Sequence, residues 1–229
     1  MFIYCGEGSH CAAMLRREAP AAATIVESKM AFVEPVILRD RGIRMEPLGL
    51  QHEEGLSQAA ADGELWRIRV TSVPEPEQTL QYIKDALAMR EGGNRFAFAI
   101  VDEATETVLG SSSYHDIIAA VKRVEIGYTW YAKRCQRTHV NTTCKLLLMG
   151  HAFDTLGCPV VGWRTDNFNF DSQNAIERLG AKKDGVIRGH ALRRDGTIRD
   201  TVMYSMRSGE WPEARAQLLY LRDRPRTKP

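Results

Sequence analysis

The stretch CQRTHVNTTC, residues 135–144, separates a strand-like segment from the most regularly patterned helix of the chain. Beyond it, apolar residues recur every four positions at Leu148, Ala152 and Leu156. This is the spacing of a helix that buries one face against a core. The sequence therefore predicts a strand that runs through a polar turn directly into an amphipathic helix.

The polar turn has the features of an anion-binding site. We expect Asn141 or Thr142 to cap the start of the helix and Gly157 to end it. The first N–H groups of a helix have no intrahelical acceptor and carry the positive end of its dipole, so a phosphate is stabilised there. Gln136 and Arg137 stand one turn earlier and add side-chain donors. An ordinary polar loop before a surface helix is the alternative.

Composition limits the classes of function. A chain of 229 residues, 44% of them hydrophobic, is long enough for one well-packed domain and too short for two large ones. The formal charge of +2 is close to balance, so we expect neither a nucleic-acid partner nor a membrane partner. Five cysteines without a C-x-x-C pair favour a reducing cytoplasm, with no disulfide framework and no metal site.

Charge and patterning suggest three segments. Residues 1–32 mix charged residues with an Ala-rich patch and lack the apolar core of a secretion signal. This composition predicts a disordered or variable N-terminal extension. Residues 33–207 carry the regular patterns of a folded domain. Residues 208–229 predict a C-terminal helix followed by a basic tail.

The elements of the central segment alternate in type. A strand or strand pair crosses the turn at 40–42, helices follow near 51–61 and 76–90, and three consecutive antiparallel strands lead to the helix described above. A further strand, a short helix and a hairpin around Asp195-Gly196 complete the order. The fold class is therefore α+β, a mixed and mostly antiparallel sheet of about seven strands flanked by helices.

Two local details follow from the same patterns. In the third consecutive strand, Glu125 is predicted to point away from the face shared by the alternating apolar residues, which are Val124, Ile126, Tyr128 and Trp130. Asp171 or Ser172 is predicted to cap the short helix.

This order of elements resembles that of the GNAT superfamily of N-acetyltransferases, from about Val33 to Met206. Residues 125–130 resemble the family's fourth strand, and residues 136–141 occupy the place of its Q/R-x-x-G-x-G/A pyrophosphate loop. Residues 169–172 and 175–181 resemble the N-x-x-S…RLGA segment of its RimJ/RimL-type, ribosomal-protein-acetylating branch. His139 and Asn141 stand where the family pattern has small residues.

The resemblance implies that acetyl-CoA is the co-substrate. Its pantetheine arm would enter a gap where the family's fourth and fifth strands splay apart, here between residues 125–131 and 159–165. The resemblance assigns the cofactor contacts to Gln136, Arg137, Thr138, His139, Val140, Asn141, Thr142, Asn169 and Ser172. It implies no metal ion.

The resemblance also implies direct attack of an amine on the thioester, which needs a base, an oxyanion donor and, optionally, an acid. Glu125 is the first candidate for the base, and a surface or salt-bridged glutamate is the equally weighted alternative; His115 is a second candidate. Ser172 is the candidate acid, with a plain N-cap as the alternative. The candidate acceptor-binding residues are Tyr114, His115, Tyr128 and Trp130.

Two classes of function remain open at this point. The first is an N-acetyltransferase acting on a primary amine, either a protein N-terminus or a small molecule, as a monomer or homodimer. The second is a catalytically weak acyl-CoA-binding or regulatory module, which the unusual residues His139 and Asn141 favour.

Overall fold

The computed structural model describes residues 31–224, so the expected N-terminal extension, apart from its last two residues, and the last five residues of the basic tail lie outside the described residues. The strands within this range are β1 Leu38–Asp40, β2 Ile43–Pro47, β3 Arg95–Asp102, β4 Thr107–Ile118, β5 Arg123–Tyr131, β6 Val160–Asp166, β7 Lys182–Leu192 and β8 Ile198–Arg207. The α-helices within it are α1 Glu53–Ala61, α2 Thr79–Glu91, α3 Val140–Gly150, α4 Phe170–Glu177 and α5 Trp211–Asp223. Between residues 31 and 224, no helix is long and apolar enough to cross a membrane.

All of these strands belong to one sheet, in the order β1-β2-β3-β4-β5-β6-β8-β7. Every neighbouring pair is antiparallel except β5 and β6, which are parallel and joined by the crossover helix α3. The predicted α+β class and mixed, mostly antiparallel sheet are confirmed. The sheet has eight strands among the described residues rather than about seven, because the N-terminal hairpin contributes two short strands.

The parallel pair β5 and β6 separates soon after it begins. The two strands pair at only three positions, of which Glu125 opposite Gly162 is the last. Beyond it β5 continues to Tyr131 and β6 to Asp166 with no pairing between them. The predicted opening between these strands is therefore present, and it exposes backbone hydrogen-bonding groups along both of its edges.

A β-bulge interrupts β5 beside this opening. Gly127 pairs with Ser113 and Trp130 pairs with Ser111, so three steps along β5 match two along β4. Tyr128, the residue at the bulge, has a φ of +49° in the left-handed region. Such a conformation is unusual for a residue with a Cβ, and it persists where the surrounding strands enforce it.

The bulge reverses the alternation of side chains along β5. The sequence places Tyr128 and Trp130 on the face of Ile126, and this prediction is wrong because the extra residue moves both to the opposite face. The Tyr128 ring packs edge-on against His115, whose direct partner across β4 and β5 is Glu125. Directly paired residues share a face, so we name this side of the sheet the Glu125 face.

Helices cover both faces of the sheet. Helix α2 lies over the Glu125 face, where the Tyr82 ring meets Trp130 edge-on at 6.2 Å. Helix α3 lies over the opposite face, where the Tyr114 hydroxyl donates a 2.6 Å hydrogen bond to the carbonyl of Leu148. The hydrophobic core thus lies on both sides of the central strands.

The start of α3 differs from the prediction. His139 is the N-cap residue, and the predicted caps Asn141 and Thr142 lie inside the first turn. Asn141 uses its side-chain oxygen to accept a 3.1 Å hydrogen bond from the Tyr131 hydroxyl, so it is not available for capping. The Thr138 hydroxyl instead accepts from the N–H of Val140 at 3.3 Å.

Two glycine turns occur where the sequence predicts them. Gly157, with a φ of +65°, ends the helical segment that follows α3. Gly196, with a φ of +77°, closes the hairpin between β7 and β8, where the N–H of Arg193 donates to the carbonyl of Thr197 at 2.8 Å. Both are positions at which a side chain would be strained.

Candidate active site

The polar turn between β5 and α3 lies at the surface. Gln136, Arg137 and His139 are exposed, and Thr138 is half-buried with its hydroxyl donating to the carbonyl of Cys135 at 2.6 Å. Helix α3 begins at Val140 directly after this exposed turn, and the side chain of its N-cap residue His139 makes no capping hydrogen bond. A phosphate placed there would meet helix N–H groups, the dipole and the side chains of the preceding turn.

The left-handed backbone position in this turn is Arg137, with a φ of +59°. His139, which stands where the GNAT pattern has a small residue, has a φ of −70°, and Asn141 lies in regular helix. Neither position therefore requires the backbone freedom of glycine. The exposed His139 side chain adds bulk without forcing strain into the turn.

Residues of the N-x-x-S segment lie at the start of α4. Asn169 is the N-cap, and its side-chain oxygen accepts a 3.1 Å hydrogen bond from the N–H of Ser172. The predicted capping by Asp171 or Ser172 is therefore wrong, because both lie inside the first turn. The Ser172 side chain is half-buried and is not occupied in capping. Asn169 also reaches the carbonyl of Val70 with its amide group at 3.5 Å.

Glu125 is fully buried at the point where β5 and β6 separate. One carboxylate oxygen accepts from Arg123 at 2.9 Å and the other from Nε of Arg164 at 2.6 Å. Burial raises the pKa of the Glu125 carboxyl, and the neighbouring Arg123 limits that rise. Gly162 makes room for this cluster, because a Cβ there would lie 2.8 Å from Cγ of Glu125.

His115 lies next to Glu125 on the same face of the sheet. Burial, together with the charges of Arg164 and Arg95, lowers the pKa of the His115 imidazole to about 3, so the ring is neutral at physiological pH. A Cβ on Gly127 would lie 2.2 Å from its Nε2, so the imidazole packs directly on the glycine at the bulge.

The predicted acceptor-binding residues divide between the two faces. His115, Tyr128 and Trp130 lie together on the Glu125 face. Tyr114 lies on the opposite face, fully buried against α3, because it is one residue from His115 on an alternating strand. The structure therefore does not bring Tyr114 to the other three.

The family is decided by the sequence model of the acetyltransferase (GNAT) domain, which matches residues 43–182. The chain belongs to the GNAT family of acetyltransferases. The match contains β2 through the end of α4, and thus both the splayed strands and the turn before α3.

Named relatives agree with this assignment. The chain is 22% identical over 173 residues to the uncharacterized N-acetyltransferase YoaA of Bacillus subtilis, covering 75% of this chain and 96% of that protein. It is 28% identical to a GCN5-related N-acetyltransferase of known structure from Brucella melitensis, with a TM-score of 0.73 over 83% of this chain and 87% of that one. The chain is an N-acetyltransferase.

A protein of the ribosomal-protein branch is among the structural neighbours. The structure of RimL, a ribosomal L7/L12 alpha-N-protein acetyltransferase, matches with a TM-score of 0.66 at 18% identity over 76% of this chain and 94% of that one. At that identity the likeness shows the shared fold alone.

The site of this GNAT domain contains two cations that the sequence patterns did not single out. Arg95 is the first residue of β3, which is apolar from residue 96 to residue 101, and the only sequence signal for it is this place before the alternating phenylalanines. Lys145 lies in the apolar stripe of α3, where its ammonium donates to the hydroxyl of Thr129 at 3.0 Å. Burial lowers the pKa of Lys145 to about 8.

The described residues offer no candidate metal centre in this GNAT domain. Between residues 31 and 224, no group of three or more histidine, cysteine or acidic side chains is placed to hold a metal ion. The cysteines in that range are unpaired and buried, and they are Cys135, Cys144 and Cys158.

Proposed function

We propose that this GNAT enzyme transfers the acetyl group of acetyl-CoA directly to a primary amine. The observation that carries the proposal is the separation of β5 from β6 immediately after Glu125 and Gly162. An extended pantetheine arm placed in the opening would pair with the bare strand edges, as an added strand does. The acyl group would then lie beside the bulge at Tyr128.

The polar turn before α3 supports the docking of the CoA pyrophosphate. Its exposed residues Gln136, Arg137 and His139 directly precede the start of the helix at Val140. The other proposed contacts come from the turn itself, from the first turn of α3 and from the start of α4. They are Thr138 in the turn, Val140, Asn141 and Thr142 in α3, and Asn169 and Ser172 at α4. Helix N–H groups and a guanidinium are the donors that phosphate oxygens prefer.

Three chemical roles are proposed for residues at the opening. Glu125 takes the proton of the attacking amine through a water molecule, and the rise of its pKa caused by burial makes the carboxylate a stronger proton acceptor. A backbone N–H at the bulge between Gly127 and Trp130 stabilises the oxyanion, because a bulge leaves one residue of the strand unpaired. Ser172 is the proposed donor to the leaving thiolate.

The acceptor is proposed to be a protein N-terminus or a small-molecule amine that approaches from the Glu125 face. His115, Tyr128 and Trp130 lie on that face within reach of the bulge. An acceptor of the ribosomal-protein type rests on the resemblance of the residue 169–181 segment to that branch and on a structural likeness below 20% identity.

The pairing of Glu125 with Arg123 and Arg164 favours a second candidate function. A carboxylate held by two guanidiniums is a weakened proton acceptor, so a module that binds acetyl-CoA and turns over slowly is the alternative. The two candidates share the cofactor site and differ in the rate of transfer.

Thermal unfolding with and without acetyl-CoA tests the cofactor site. A ligand at a hundred times its Kd stabilises the folded state by about 2.7 kcal/mol, which for a domain of this size raises Tm by roughly 5–10 °C. No shift at millimolar acetyl-CoA would refute the proposal.

Given a shift, release of free thiol on a panel of amines separates the enzyme from the slow module. Glu125→Gln should remove the titration of the base from the pH profile of that rate and leave that of the amine, and an unchanged profile would remove Glu125 as the base.

A further inference from the structure

Arg95 is a buried cation with no acidic partner among the described residues. The residue is 2% exposed, and among residues 31–224 no carboxylate lies within ion-pair distance of it. The comparably buried arginines behave differently. Arg193 and Arg222, with side chains 5% and 9% exposed, form ion pairs with Asp166 and Asp40.

Neutral groups hold the Arg95 guanidinium in place. Its Nε donates to the Ser113 hydroxyl at 2.9 Å, and one Nη2 hydrogen is donated to the Tyr82 hydroxyl at 2.8 Å. The guanidinium carbon lies 3.9 Å from the centre of the Tyr128 ring and 5.0 Å from that of Tyr82. These contacts use two of the five N–H donors of an arginine, which leaves three for a ligand. Because an arginine stays charged in proteins, burial without a counter-ion is unfavourable.

The position of Arg95 connects it with the proposed point of acyl transfer. Arg95 pairs with His115 on β4, and His115 pairs with Glu125 on β5, so the three form one row across the Glu125 face. The Tyr128 ring that Arg95 stacks on belongs to the bulge. The proposed CoA phosphate turn, residues 136–142, follows the other end of β5, so Arg95 is separate from it.

Further arginines lie near this row. Arg123 and Arg164 share the carboxylates of Glu125 and Asp116. Arg199 lies on β8, two residues before Thr201, which pairs with Asp166 on β6. Its Nε is buried and has no hydrogen-bond acceptor among the described residues. A further anion on this face would meet the Arg95 guanidinium, which has no carboxylate partner between residues 31 and 224.

We propose that Arg95 binds a carboxylate of the acceptor, so that the substrate of this enzyme is an amine that carries a carboxylate a few bonds from the reacting nitrogen. This inference rests on the proposed function, since it uses the same acceptor side of the sheet. Two sources have this chemistry, a free amino acid and a peptide with an acidic first residue.

Matched acceptor pairs test the proposal and distinguish the sources. Thiol release from acetyl-CoA is measured with alanine against alaninamide, and with Asp-Ala-Ala-amide against Asn-Ala-Ala-amide. A charge-assisted contact should give the carboxylate-bearing member at least about a tenfold higher kcat/KM in one pair. A preference in the first pair identifies a free amino acid, and one in the second identifies an acidic N-terminus. No preference in either pair would overturn the proposal.

Substitution locates the preference. Arg95→Gln keeps a donor near Ser113 and should reduce the preference for the carboxylate-bearing member to about one. Arg90→Gln is the matched control, because Arg90 also stacks on an aromatic ring, that of Phe96, at 4.6 Å. Arg90→Gln should keep the preference. Retention of the preference by Arg95→Gln would contradict the proposed contact.

Product binding to the wild-type protein gives a readout that needs neither turnover nor a folded variant. Thermal unfolding in the presence of CoA is compared with N-acetylalanine against N-acetylalaninamide, and with the N-acetylated Asp and Asn peptides. Larger stabilisation by the carboxylate-bearing product of one pair supports the anion site even if Arg95→Gln does not fold. Equal shifts in both pairs would overturn it. Failure of acetyl-CoA itself to bind or react is a separate result that refutes the proposed function.

Discussion

Gly127→Ala should destabilise the protein through a single contact. An added Cβ would lie 2.2 Å from Nε2 and 2.7 Å from Cδ2 of His115, where real contacts exceed about 3.4 Å. The φ of Gly127 is not in the left-handed region, so the backbone itself accepts alanine. His115 is only 7% exposed, so its ring has little free space into which it could move.

The magnitude follows from two opposing effects. Overpacking of a filled site destabilises by about 1–3 kcal/mol, whereas replacing glycine by alanine stabilises by about 0.4–1 kcal/mol through the unfolded chain. We expect a net loss of about 1–2 kcal/mol, which lowers Tm by roughly 2–8 °C for a domain of this size. Urea unfolding followed by circular dichroism measures the free energy directly.

A double-mutant cycle isolates the contact. In a His115→Ala background the added methyl group has space, so Gly127→Ala should become neutral or slightly stabilising, with a coupling energy of about 1–3 kcal/mol. Gly185→Ala in β7 is the control, because a Cβ there meets nothing within 4 Å, and its effect should lie within about 0.5 kcal/mol of zero. An equal loss from Gly127→Ala in both backgrounds would refute this account.

Three further changes have distinct signatures. Lys145→Met should raise the free energy of unfolding at pH 7. The advantage should shrink from pH 8 to 10.5, because the folded wild type releases that proton near pH 8 and the unfolded chain near 10.5; a constant difference in urea titrations would contradict this. Arg137→Ala should weaken acetyl-CoA binding about tenfold in calorimetry, and unaltered affinity would remove its phosphate role. Asn169→Ala should lower stability by about 1 kcal/mol through loss of the α4 cap, while Asn169→Ser retains most of it in the same urea assay.

Periodic features of the chain were predictable because they depend on local spacing. The alternation of Phe96, Phe98 and Ile100 identified β3, and the apolar stripe ending before Gly157 identified the crossover helix. The two helix caps were mispredicted for a physical reason. Several polar residues compete for each N-cap, and tertiary contacts such as that between Asn141 and the Tyr131 hydroxyl decide which one caps.

The bulge at Tyr128 was not predictable from alternation. A bulge is one extra residue relative to the partner strand, so it exists only in the register between β4 and β5. Its effect is large, because every side chain beyond it changes face. This single event places Tyr128 against Arg95 and His115, and it is why the alternation along the strand placed Tyr128 on the face of Ile126 and did not indicate its contact with Arg95.

Glu125 holds two arginines in place and is also the proposed proton acceptor. This double role explains how it can fit both candidate functions. Its two oxygens tie Arg123 on β5 to Arg164 on β6 at the last paired position before the strands separate. Removing the charge would therefore loosen the start of the opening as well as remove a proton acceptor. The two effects differ in pH dependence: a loosened opening lowers the rate by a constant factor, whereas loss of a base removes the titration from the rate profile. The pH profile, rather than the size of the loss, thus decides which role Glu125 has.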